Sequence, residues 1–143
     1  MKIMTSFIDT SAWLAIIDKN DPQHERATAY FRNLIENDAK IITNNIIIDE
    51  TVNHIKLNLG NELARRFLSI IEESILTINL RSDWISRRVR KNGLNFCLKS
   101  NDKELELRHY FIRETLKRKR VDIVFSFDRK LKSFGLPLVP QAD

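Results

Sequence analysis

Ile3-Met4-Thr5-Ser6-Phe7-Ile8-Asp9 is a short apolar run, residues 3–8, that stops on an acid. The pattern returns near the other end, where Asp122-Ile123-Val124-Phe125-Ser126-Phe127 leads into Asp128. Runs this short, rich in β-branched and aromatic residues, read as buried strands. Lys40–Thr43 and Ile75–Ile78 have the same character, and Leu138-Val139 is a candidate fifth strand. The intervals carry helical spacing instead: 10–20, 22–37, 45–59, 61–73, and a long stretch, 81–119, that holds two helices. Pro22 stands at a helix-start position and Gly60 divides two helices. The long stretch breaks either near Asn92-Gly93 or around Ser100-Asn101-Asp102. Strands alternating with helices predict a three-layer α/β/α sandwich around a central parallel sheet of four or five strands. In such sheets, sites form in the crevice beyond the carboxyl ends of the strands.

The 143 residues suit one domain spanning 1–143, and the 3 Gly and 3 Pro exclude long flexible linkers. With 43% hydrophobic and 30% charged residues, the chain has enough apolar side chains for a core and a well-charged surface. No apolar stretch approaches the ~18 residues that span a bilayer. Met1 to Thr5 lack signal-peptide organisation, and Cys97 has no second cysteine to pair with. The expected setting is therefore a reducing cytoplasm, without membrane attachment. Cys97, flanked by Leu94, Phe96 and Leu98, is expected in the core, and Trp13 and Trp84 in the core or an interface.

The net charge of +5 favours an anionic partner. Two clusters concentrate it: Arg81, Arg87, Arg88, Arg90 and Lys91, and then Arg113, Lys117, Arg118, Lys119 and Arg120. The second either closes a helix, where cations complement the dipole, or binds phosphates, and the two roles are compatible.

Asp9 and Asp128 follow two strands directly, and Glu50 lies in the first turns of the helix that Asn44-Asn45 opens. Any one of these acids could be a helix N-cap. Three on the same edge of a parallel sheet repel one another, and a hard divalent cation bound by oxygen is the usual compensation. Mg²⁺ or Mn²⁺ held there suits hydrolysis of a phosphodiester.

These segments resemble the PIN-domain ribonucleases, and in particular the VapC-type toxins. FIDTSAWLAIIDKNDPQHERA at 7–27 is similar to the family's opening, with its first acid at Asp9. IITNNIIIDETVNHI at 41–55 resembles the segment carrying the second, Glu50, and VDIVFSFDRKLKSFGL at 121–136 the closing segment with Asp128. One departure stands out. Where the family carries a third acid in a Ser-x-Thr-Asp stretch, this chain has Glu106, Arg108 and His109, so that a histidine replaces the aspartate. Glu106 and His109, three apart on a helix, either rebuild the site for a softer metal or mark its decay.

The resemblance implies a metal-dependent endoribonuclease, the toxin of a toxin–antitoxin pair, with Asp9, Glu50 and Asp128 as catalytic and metal-holding residues. Glu106 and His109 are further candidate ligands. Arg87, Arg88, Arg90, Lys117, Arg118, Lys119 and Arg120 are the candidate RNA contacts. RNA, a small antitoxin protein and a second copy in a homodimer are the expected partners. The alternative is a catalytically degenerate PIN-like domain acting as an RNA- or protein-binding module.

Overall fold

A computed structural model describes residues 3–140. Five parallel strands form one sheet in the order β3-β2-β1-β4-β5: β1 (Thr5–Ile8), β2 (Lys40–Asn44), β3 (Leu80–Asp83), β4 (Ile123–Phe125) and β5 (Leu138–Val139). β1 is central and fully buried, with Phe7 between Ile42 of β2 and Val124 of β4. That position explains a strand without polar alternation: both faces are covered by helices. The helices are α1 (Thr10–Ile17), α2 (His24–Glu36), α3 (Asn45–Leu59), α4 (Asn61–Thr77), α5 (Arg87–Lys99) and α6 (Leu107–Arg118). A 3-10 helix, Arg129–Phe134, follows β4. Trp13 anchors the main core, edge-on to Phe31 and Phe67 at 5.8 and 5.7 Å between ring centres. Among the described residues, no helix is long and apolar enough to cross a membrane.

The third strand corrects the sequence reading. Ile75–Ile78 belongs to the end of α4 and its cap, and the strand begins at Leu80. Ala64, Phe67 and Ile71 form the buried stripe of α4, whereas Leu76 is 85% exposed. The apolar run thus continues a helix. β3 escaped notice because an edge strand needs few apolar residues: Arg81 and Ser82 are exposed, and Leu80 alone supplies a buried aliphatic side chain.

The break in 81–119 falls at residues 100–106, and Gly93 lies inside α5. There it permits close approach to α6: a Cβ on Gly93 would stand 2.8 Å from Phe111 Cδ1. Gly93→Ala is expected to destabilise by about 1–2 kcal/mol, because overpacking outweighs the gain in helix propensity. Urea unfolding would measure this, and an unchanged or higher midpoint would show that Phe111 moves aside freely. Cys97 shares the inner side of α5 with Val89 and Gly93 but is only half-buried, and Trp84 is 68% exposed, so neither is a core residue.

Candidate active site

In the order 3-2-1-4-5 the connections reverse direction between β1 and β4, and at such a point the loops diverge and leave a crevice. Asp9 and Asp128 sit at its two sides. Asp9 occupies the N-cap position of α1, but its side chain caps nothing. Its fully buried carboxylate turns into the crevice, where Oδ2 accepts from Ser126 Oγ at 2.9 Å and Oδ1 from Arg108 Nη1 at 3.2 Å. Asp128 does both jobs. Oδ1 caps the 3-10 helix by accepting from the Lys130 N–H at 3.1 Å. Oδ2 accepts from Arg108 Nη2 at 2.6 Å and His109 Nε2 at 2.7 Å. Glu50, on α3, places Oε1 3.8 Å from Arg108 Nη1, and Glu106 places Oε2 3.6 Å from Arg108 Nε.

The structure therefore brings Asp9, Glu50 and Asp128 to one point, and a side chain missed by the sequence reading fills that point. Arg108, in the first turn of α6, presents every guanidinium nitrogen to a carboxylate. Burial pulls its pKa down, but Asp9, Glu50, Asp128 and Glu106 together push it above the ordinary arginine value. Asp9 is shifted up, chiefly by burial, which Arg108 and the hydrogen bonds from the Thr10 backbone and Ser126 only partly offset. For Asp128 burial also acts upward, but hydrogen bonds from His109 and the Lys130 N–H, with the charge of Arg108, bring it below the usual carboxylate range.

Two serines set the aspartates. The single hydrogen of Ser126 goes to Asp9, which can only accept, so the Ser11 hydroxyl donates to Ser126 Oγ at 3.0 Å. Ser126 also accepts from the Asp128 N–H at 3.0 Å, and Ser11 from the Phe127 N–H at 2.9 Å. In the sequence this shows only as a serine two places after Asp9 and another two places before Asp128.

His109 is 1% exposed and has both nitrogens committed. Nδ1 accepts from the Glu106 N–H at 2.9 Å, which leaves the hydrogen on Nε2 to be donated to Asp128. It joins Glu106 through a capping hydrogen bond, not through side chains converging on a common ligand. The donor set thus divides. Oxygens that already surround a cationic group suit a hard cation, whereas the histidine does not serve as a ligand as it stands. Among the described residues, no cluster of three or more acids, histidines or cysteines is arranged to hold a metal, and Arg108 lies where the carboxylates converge.

The basic candidates separate as well. α6 runs along the carboxyl edge of the sheet: Arg108 meets the crevice, Thr115 accepts from Asn44 at the end of β2, and Arg118 reaches Asp83 at the end of β3. Arg118 Nη1 lies 2.9 and 2.8 Å from the two Asp83 oxygens, and Thr115 Oγ donates to the same buried carboxylate at 2.9 Å. Lys119 Nζ is 4.0 Å from it. Arg118, itself exposed, is therefore the counter-ion of a buried carboxylate. Arg87, Arg88, Arg90, Lys117 and Arg120 are exposed. Beside the crevice lies a cavity of about 380 Å³ lined in part by Ser126, Phe127, Arg129 and Lys132, two cations that the sequence reading did not single out. His24 Nδ1 is 2.8 Å from the Ala15 carbonyl, a packing contact between α1 and α2, and His54 is exposed.

The model of the family "PIN domain" matches residues 6–135. The chain belongs to the PIN-domain family. Its fold is that of VapC20 of Mycobacterium tuberculosis, a toxin that cleaves the sarcin–ricin loop, with a TM-score of 0.78 over 92% of this chain and 95% of that one. At 17% identity the likeness is one of fold. No curated protein matches this PIN domain in sequence.

Proposed function

We propose that this PIN domain is a toxin-type endoribonuclease acting on single-stranded or looped RNA, with Asp9, Glu50 and Asp128 as the reaction centre. The convergence of the three carboxylates on one cationic point at the sheet's switch carries this reading. The fold shared with a toxin that cleaves an RNA loop supports it. Mg²⁺ or Mn²⁺, when bound by these carboxylates, would supply an activated water and neutralise charge on the scissile phosphate. The chain's own residues do the rest. Ser11 and Ser126 fix the directions of the two aspartates, and His109 holds Asp128 ionised through its hydrogen bond. The cavity bearing Arg129 and Lys132 receives RNA next to the centre. Lys117 and Arg120, about 15 Å away along α6, continue the phosphate track. A small antitoxin protein, a homodimer and a cytoplasmic location belong to the same reading. The test is cleavage of RNA in Mg²⁺ or Mn²⁺, with chelator and Asp9→Asn controls. A second reading, a non-catalytic module that binds RNA or protein, is favoured by one observation: His109, in place of the third acid, is buried and fully committed.

The nuclease reading, like an RNA-binding module, requires RNA affinity to fall steeply with salt, each phosphate contact adding roughly 0.7 to the log–log slope for a single strand. Replacing Lys117 and Arg120 by Ala is expected to lower that slope. Arg118→Ala should instead cost about 2 kcal/mol of stability, because it leaves buried Asp83 without its main counter-ion. Filter binding across a salt series together with urea unfolding separates the two effects. A slope unchanged by the Lys117/Arg120 pair removes α6 from the RNA track.

A further inference from the structure

We propose that Arg108 is a tethered cation that competes with a divalent metal for the carboxylates of the acidic centre, so that the metal enters only when the guanidinium leaves. This rests on the nuclease reading above and deepens it.

The oxygens decide the matter. Asp9 Oδ2 is turned to Ser126 and Asp128 Oδ1 to the Lys130 N–H, so the oxygens that face the crevice are Asp9 Oδ1 and Asp128 Oδ2, the latter also accepting from His109 Nε2 at 2.7 Å. Arg108 holds both, at 3.2 and 2.6 Å, and also lies against Glu50 and Glu106. A Mg²⁺-like ion draws its oxygens to about 2.1 Å, and the same pair of oxygens cannot close on it while a guanidinium stands between them. Electrostatics agrees with geometry. Asp9, Glu50 and Asp128 on one crevice need a counter-charge, and arginine, charged at every working pH, provides one without any ion from solution.

Displacement needs no refolding. α6 is held by buried His109 at one end and by the Thr115 and Arg118 contacts with Asp83 at the other. The Arg108 side chain is 23% exposed, so a rotamer change moves its head toward solvent while the helix stays in place. An incoming RNA phosphate offers the freed guanidinium a bidentate partner. Arg108 would thus keep the centre charge-balanced before substrate arrives and move onto the substrate's backbone afterwards.

The experiment is calorimetric titration of Mn²⁺ alone into wild type, Arg108→Thr, Arg108→Lys and the double variant Arg108→Thr/Asp9→Asn, with folding checked by circular dichroism. Arg108→Thr is expected to bind Mn²⁺ about 10- to 100-fold more tightly than wild type, the factor that losing one charge-assisted competitor corresponds to. Arg108→Lys, which keeps the charge, should stay near wild type, and Asp9→Asn should cancel the gain. Should Arg108→Thr fail to fold, Arg108→Gln replaces it, keeping the stem and losing the charge. Equal Mn²⁺ affinity in wild type and the neutral variants would overturn the competition and leave the nuclease reading standing. A gain that survives Asp9→Asn would overturn it too, by placing the metal elsewhere. No Mn²⁺ binding in any form would sink both the competition and the metal-dependent reading.

Discussion

Asp9→Asn is expected to lower RNA cleavage by roughly a hundredfold or more while leaving the protein as stable as wild type, or more so. Activity falls because one of the charged oxygens aimed at the centre disappears, and its buried position offers no substitute. Stability behaves differently because burial holds the Asp9 pKa above its unfolded value. A group raised in this way contributes stability that is fully present below the unfolded pKa and is lost as pH rises through the folded one. At neutral pH the ionised carboxylate is therefore a cost that the neutral amide lacks. Arg108 keeps Asp128, Glu50 and Glu106 as partners. The advantage of the variant should vanish below about pH 4, where the wild-type carboxyl is itself protonated. Gel assays of cleavage and thermal unfolding between pH 3.5 and 7 would measure both arms. Cleavage retained in the variant removes the crevice from the chemistry. A large loss of stability at neutral pH would mean that the Arg108 ion pair outweighs burial.

His109→Ala is expected to destabilise by about 3 kcal/mol, an effect of burial and hydrogen bonding that does not depend on metal. The imidazole is enclosed, and its removal leaves a cavity together with a Glu106 N–H that loses its acceptor. Asp128 loses the donor that contributes most to lowering its pKa. The sign follows from that shift. A depressed carboxylate contributes stability above its unfolded pKa and loses it as pH falls through the folded value, so this part of the difference should shrink on acidification below about pH 4. Urea unfolding at pH 7 and pH 3.5, without divalent ions, is the measurement. A loss under about 1 kcal/mol at neutral pH would show that neither hydrogen bond matters to the fold. The Glu106–His109 spacing would then again be open to a ligand role.

The alternation of buried runs with helical stretches was enough to read a parallel sheet flanked by helices, because strands covered on both faces carry few charges and no regular polar alternation. Ser6, Phe7 and Ile8 of β1 lie at 0% exposure, and Ile41 and Ile42 of β2 do too. The acids ending β1 and following β4 were legible for a related reason: a charge directly after a buried run has one place to go, the sheet's carboxyl edge. β3 was not legible, since an edge strand is half-solvated and its Leu-Arg-Ser-Asp carries no periodic signal. The role of Arg118 was hidden because its partner, Asp83, lies 35 residues earlier in the chain, and sequence reads as a helix-end cation what packing turns into the counter-ion of a buried carboxylate. Arg108 was hidden in the same way. By itself the sequence determined the layers and the edge on which the acids gather. Only the tertiary structure decided what neutralises those acids, because charge compensation depends on distances between atoms from α1, α3, α6 and the loop after β4, which no local pattern records.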